Sequence, residues 1–125
     1  MQAVPLSVLI VDDHDGFRSR AKRALELDGF RVVAEAGDIA EGLATCATAN
    51  PDLVLLDVHL PDGSGTDAAP QFADAAPGTR VILISTYDEI DMGIAAQQDG
   101  VVGFLPKAQL SGKDLIAMLD AHPTR

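Results

Sequence analysis

A chain of 125 residues carrying 9 Lys and Arg against 19 Asp and Glu, with a formal net charge of −10, has room for one domain of ordinary size, so residues 1–125 are expected to hold no second folded output domain. Its 47% hydrophobic and 22% charged residues are the balance of a globular rather than a disordered chain, and a pI near 4.4 opposes direct nucleic-acid binding, which rests on Lys and Arg against phosphates. Without a signal-like N-terminus or a run of about 18 apolar residues, neither export nor membrane insertion is expected; the single cysteine, Cys46, excludes an intrachain disulfide, suits a reducing cytoplasm and reads as a small buried side chain.

Short apolar runs alternate with helical patterns, which argues for βα repeats and a parallel sheet covered by helices on both faces. The first run, Ser-Val-Leu-Ile-Val at 7–11, reads as a strand buried on both faces and stops at Asp12 and Asp13. A helix over 15–28 follows, with Phe17, Ala21, Ala24 and Leu25 as its apolar stripe and Gly29 as its stop. After a strand over 32–35, Asp38 and Glu41 stand at capping-box spacing and open a second helix, whose inner face is expected at Ala40, Leu43, Ala44 and Ala47. Asn50-Pro51 ends it, and the third strand, 53–56, runs into Asp57.

Residues 59–65, with Pro61, Asp62, Gly63, Ser64 and Gly65, read as an ordered loop, and a short helix follows whose regularity Pro70 should limit. The fourth strand, 80–85, ends in Ser85-Thr86; a helix over 89–99 is stopped by Gly100. The fifth strand, 103–105, is short and leads to Pro106-Lys107. The last helix takes Ser111 as N-cap and Asp114 at N3, with Leu115, Ile116 and Leu119 facing inward. His14 and His122 read as solvent-facing, with no partner visible.

In an open parallel sheet the carboxyl ends of the strands lie on one edge, where ligands bind. Asp12, Asp13, Asp57, Ser85 and Lys107 should therefore converge. Carboxylates crowded together repel one another, and a hard divalent cation such as Mg²⁺, which takes oxygen ligands and keeps several waters, relieves that repulsion. A carboxylate there can also attack a phosphoryl group, while Lys107 and the Ser85 hydroxyl supply a cation and a donor to its equatorial oxygens. Taken singly, each of these residues also reads as a turn former, a cap or a solvated charge. Five of them at separate strand ends make a specific set.

The stretches Val-Asp-Asp-His at 11–14, Leu-Leu-Asp-Val-His-Leu-Pro-Asp-Gly-Ser-Gly at 55–65, Ile-Ser-Thr at 84–86 and Gly-Phe-Leu-Pro-Lys at 103–107 resemble the receiver domain of bacterial two-component response regulators, most closely the NarL/FixJ type. The resemblance covers nearly the whole chain. It implies a flavodoxin-like (βα)5 fold, a doubly wound five-stranded parallel sheet of order 2-1-3-4-5, and a phosphorylation-dependent switch rather than an enzyme acting on an external substrate. It further implies that Asp57 is the phosphoacceptor, and that Asp13, Asp57 and the His59 backbone carbonyl ligate Mg²⁺ while Asp12 supports the metal through water. Lys107 would pair with the phosphoryl group and Ser85 would hydrogen-bond it. Phe104 matches the aromatic switch position, although a Phe in a strand also reads simply as core.

The partners implied are a sensor histidine kinase and an output domain or protein target reached through the fourth helix, fifth strand and fifth helix. Homodimerisation on phosphorylation and control of transcription through a helix-turn-helix domain also follow from the resemblance. Several residues depart from the family's pattern. Pro106 precedes Lys107 and Ala108 follows it, so a cis bond after the Lys is not expected. His59 and Tyr87 fall at positions that border the phosphoryl site and tune its lifetime, or else are exposed loop side chains; Thr86 is bulkier than the usual Ala or Gly and should narrow access. A phosphatase with an aspartyl-phosphate intermediate would want an acid Asp at position 59, and a dinucleotide-binding domain would want Gly-x-Gly-x-x-Gly after strand 1. The alternative that stands is a pseudo-receiver binding a partner without phosphorylation.

Overall fold

The computed structural model describes residues 5–86 and 100–121; the helix expected over 89–99, Tyr87 and His122 lie outside them. Its strands are β1 (Ser7–Val11), β2 (Arg31–Ala36), β3 (Leu53–Asp57), the two-residue β4 (His59–Leu60) and β5 (Gly63–Ser64), β6 (Arg80–Ser85) and β7 (Val101–Pro106). The helices are α1 (Asp15–Leu27), α2 (Ile39–Ala49), α3 (Gly65–Ala75) and α4 (Gly112–Ala121), with a single 3-10 turn at Lys107–Gln109. Five strands pair in parallel in the order β2-β1-β3-β6-β7. With the small antiparallel β4-β5 hairpin set aside, this is the flavodoxin-like order expected from the sequence.

Every residue of β1 and β3 is buried, because helices cover both sheet faces and strand side chains alternate between them. Val8, Ile10, Leu53, Leu55, Ile82 and Ile84 pack with Leu25 of α1 and with Leu115 and Leu119 of α4. Their neighbours Leu9, Val11, Val54, Leu56, Val81 and Leu83 pack with Cys46 of α2 and Phe72 of α3. Two fully apolar layers hold the sheet's interior, so polar residues are confined to its ends.

Several local expectations change. The inner face of α2 carries Gly42 and Cys46, with Leu43 partly buried, while Ala40, Ala44 and Ala47 are exposed. Alanines lie all round this helix and do not mark a face; Gly42 does, since a Cβ there would stand 3.0 Å from Phe72 Cζ and 3.1 Å from Val11. On α4, Ile116 is exposed, and Met118 packs inward in its place against Gly103. The loop 59–65 folds into the β4-β5 hairpin. Helix α3 runs eleven residues through Pro70, whose ring lies on the exposed side, where water can serve the carbonyl that loses its partner. The fifth strand is longer than expected, spanning Val101–Pro106.

Asp38 caps α2 by accepting from Glu41 N, and Glu41 Oε1 accepts from Gly37 N. A second carboxylate joins them from the hairpin turn: Asp62 accepts from Ile39 N at 2.9 Å and Ala40 N at 3.0 Å. These bonds hold Asp62 below the usual carboxylate range and tie the loop after β3 to α2. A group with a depressed folded pKa adds stability above its unfolded pKa and loses it as pH falls through the folded one. Asp62→Ala is therefore expected to lower Tm at neutral pH, by a deficit that shrinks in acid; melting curves across pH 3 to 7 check this.

Candidate functional site

Asp12, Asp57 and Lys107 continue the alternation of Val8-Ile10, Leu53-Leu55 and Leu105, so all three leave the sheet edge on the α1 and α4 side. Asp12 is fully buried and Asp57 is 3% exposed. The two carboxylates are held by the same local device. Asp12 Oδ1 accepts from the backbone N of His14 at 2.8 Å, and Asp57 Oδ1 accepts from the backbone N of His59 at 3.2 Å, each an Asx turn that satisfies the chain as it leaves a strand. That leaves the two Oδ2 atoms facing Lys107, whose Nζ lies 2.5 Å from Asp12 Oδ2 and 3.2 Å from Asp57 Oδ2.

Lys107 is itself held from behind by Phe17 of α1, with Nζ 4.8 Å from the ring centroid, a cation–π distance. Burial pulls the ammonium's pKa down, and contact with Asp12 and Asp57 more than reverses it, so the net shift is upward. Burial pushes Asp57 above the usual carboxylate range, the charge of Asp12 adds to this, and the His59 N–H and Lys107 only partly oppose it. A raised folded pKa means that the favourable contribution exists below the unfolded pKa and is lost as pH rises through the folded one. Charged Asp57 thus costs stability at neutral pH. Asp57→Asn is expected to raise metal-free stability by about 1 kcal/mol at pH 7 and to lose that gain in acid, as paired urea titrations would show.

Asp13 stands beside them with an exposed side chain. One oxygen each from Asp12, Asp13 and Asp57 and one nitrogen of His14 lie within 4.8 Å of one another. Hard oxygen donors in this number suit Mg²⁺; the residues fit a divalent cation. Glycine is required at 65, because a Cβ there would fall 2.0 Å from the Asp57 carbonyl oxygen. Gly65 N donates to Val58 O and Val58 N to Ile84 O, which sets the path of the 57–59 segment.

Sequence reasoning missed two neighbours of this centre. His14 is exposed but not without partners, since its Nδ1 lies 3.1 Å from Asp12 Oδ1 and 3.2 Å from Asp13 Oδ1; only its adjacency to Asp13 in the chain hinted at this. Arg18 donates to the Asp12 carbonyl and pairs with Asp15, while its Nε lies 3.1 Å from Glu35 Oε1, locking α1 and β2 to the end of β1.

Ser85 ends β6, fully buried, on the sheet face of Val81 and Leu83. Phe104 is on that face too, partly buried against the α2 and α3 core and paired in register with Leu83. Thr86 and His59 are exposed. Thr86, Asp13, His14, Phe17, Lys107 and Leu110 are among the residues lining a groove of about 880 Å³. No peptide bond among the described residues is cis, and no helix among them is long and apolar enough to cross a membrane.

A family model described as "Response regulator receiver domain" matches residues 8–120. The chain is 38% identical over 125 residues to a probable transcriptional regulatory protein NarL of Mycobacterium tuberculosis, covering 99% of this chain and 58% of that protein's length. The solved signal receiver domain of the putative response regulator NarL from that organism superposes with a TM-score of 0.81 at 36% identity, over 95% of this chain and 97% of that one. A Burkholderia pseudomallei response regulator solved with a phosphorylated aspartic acid, a calcium ion and citrate superposes with a TM-score of 0.80 at 25% identity, over 91% of this chain and 66% of that one.

Proposed function

The chain belongs to the response regulator receiver domain family, and from that premise we propose that it is a signalling switch whose phosphoacceptor is Asp57. The observation that carries this reading is the buried Asp57 carboxylate at a strand end, with Lys107 Nζ 3.2 Å from its Oδ2 and Asp12 on the other side of the ammonium. One Asp57 oxygen attacks the phosphorus of a phosphohistidine on a sensor histidine kinase. The P–O bond forms as the P–N bond breaks, and the departing imidazole nitrogen takes a proton from water. Asp12, Asp13, Asp57 and the His59 backbone carbonyl would hold Mg²⁺, which when bound would neutralise charge on the phosphoryl oxygens. The phosphorylated aspartic acid named for the Burkholderia relative supports an aspartate as the phosphoacceptor.

Once Asp57 carries the phosphoryl group, Lys107 pairs with a phosphoryl oxygen and the Ser85 hydroxyl donates to another. Phe104 shares a sheet face with Ser85, so a shift of Ser85 opens space for its ring to turn inward. About 5.5 kcal/mol moves an equilibrium from 1:99 to 99:1, and one or two charge-assisted hydrogen bonds of about 1.5–3 kcal/mol each supply much of it. The altered surface comprises the expected fourth helix, β7 and α4, and it acts on an output domain or protein target or pairs two copies of the domain. A transcriptional output, of the kind that the NarL relative's name indicates, would act in the cytoplasm and read DNA through other segments, because this domain's charge of −10 repels phosphates. His59, Thr86 and Tyr87 set how long the phosphoryl group survives by controlling the approach of water.

Incubation with Mg²⁺ and acetyl phosphate followed by intact-mass measurement is expected to add one phosphoryl group to the parent and none to Asp57→Asn. No adduct on the parent would instead favour a binding module that works without phosphorylation.

A further inference from the structure

Resting on the reading of Asp12, Asp13 and Asp57 as a divalent-cation site, we propose that the His14 imidazole is a further ligand of that site, so that it takes a borderline transition-metal ion through a mixed nitrogen and oxygen donor set. Two ligands cis on an octahedral ion with bonds of about 2.1 Å stand about 3.0 Å apart. His14 Nδ1 lies 3.1 Å from Asp12 Oδ1 and 3.2 Å from Asp13 Oδ1, so the ring nitrogen already stands from each carboxylate oxygen at the separation that one ion would impose. The Asp57 carboxylate offers a fourth atom within 4.8 Å of the rest.

The placement is built rather than accidental. Residue 14 is the N-cap of α1, and its backbone N is fixed by Asp12 Oδ1 at 2.8 Å, so the imidazole is carried back over the carboxylates from an anchored main chain. Its side chain makes no capping bond of its own, which leaves Nδ1 for the acidic pair.

Donor chemistry then sorts the ions. Mg²⁺ is a hard ion that keeps water in preference to imidazole, so losing His14 should hardly change its affinity. Ni²⁺ favours imidazole together with carboxylates and stands well up the Irving–Williams order, so it should bind more tightly than Mg²⁺ and depend on the ring.

The test is calorimetric titration of the whole chain with MgCl₂ and with NiCl₂, alone and in competition. The variants are His14→Ala and His14→Asn, the second retaining a good N-cap so that α1 is preserved. Expected are a loss of Ni²⁺ affinity of about tenfold or more in both variants, a change of less than about twofold for Mg²⁺, and displacement of Ni²⁺ from the parent by excess Mg²⁺. Unchanged Ni²⁺ affinity in His14→Asn would overturn the inference, as would parent-bound Ni²⁺ that Mg²⁺ does not displace, because the ion would then sit on other imidazoles. Equal losses for both ions would overturn it too, pointing to the turn rather than the ring. A parent that binds no Mg²⁺ would remove the metal reading underneath and this inference with it; Mg²⁺ binding with Ni²⁺ indifferent to His14 would remove this inference alone.

Discussion

Lys107→Met is expected to cost the metal-free protein about 2 kcal/mol at pH 7, or about 8 °C in Tm for a chain of this size. The ammonium is the cation placed between the buried Oδ2 atoms of Asp12 and Asp57. A buried charge stranded by removal of its partner costs about 3–5 kcal/mol. Here the loss stays below that, because Asp57, already above the ordinary carboxylate range through burial and the charge of Asp12, can take up a proton. The deficit should therefore shrink as pH falls. Its upper limit follows from the lysine itself, since a raised folded pKa contributes fully below the unfolded value and is lost only as pH rises through the folded one, in strong alkali. Saturating Mg²⁺ should bring the variant closer to the parent by replacing the missing charge. Urea titrations with Mg²⁺ and with chelator measure all of this, and a variant as stable as the parent without metal would show that Lys107 is not what offsets the carboxylates.

Gly65→Ala should cost about 3 kcal/mol, at the upper end of overpacking effects, and weaken Mg²⁺ binding about tenfold or more. The added Cβ would meet the Asp57 carbonyl oxygen at 2.0 Å, its carbonyl carbon at 2.9 Å and Leu56 Cγ at 3.2 Å. Backbone on both sides cannot yield as a flexible side chain would. Either α3 starts later or the 57–59 segment shifts, and the second course moves both Asp57 and the His59 carbonyl. Gly16→Ala makes the control. Its Cβ would meet only the tip of Arg20 at 3.2 Å, and alanine in a helix is favoured over glycine by about 0.5–1 kcal/mol. Thermal unfolding and Mg²⁺ titration of the two variants should therefore diverge in opposite directions.

The parts of the fold that could be read from the amino-acid order are those that short-range chemistry decides. Strands β1 and β3 are buried on both faces and so are written as unbroken apolar runs, and the polar residue that ends each run marks the sheet edge. This is why Asp12, Asp13, Asp57 and Lys107 could be placed together before any coordinates. The caps at Asp38 and Ser111 are local in the same way, with the expected donors at Glu41 and Asp114.

What could not be read depends on contacts between distant segments. Asp62 caps α2 from 23 residues away, and Asp28 accepts from Gly112 N across 84 residues, joining the end of α1 to the start of α4; in sequence both are merely acidic residues near turns. The face of α2 was obscured because alanine is tolerated inside and outside alike, and it was decided by the close approach of Gly42 to Phe72 and Val11. His14 was misjudged because its role comes from the turn that carries its ring back over Asp12 and Asp13, a consequence of main-chain geometry rather than of residue type.

Borohydride reduces an acyl phosphate on aspartate to homoserine, which marks the phosphorylated residue permanently. After incubation with Mg²⁺ and acetyl phosphate, reduction and peptide mass mapping are expected to show homoserine at position 57, with Asp12, Asp13 and Asp62 unchanged. Homoserine at position 12 or 13 instead, or at no position, would contradict the assignment of Asp57 as the phosphoacceptor.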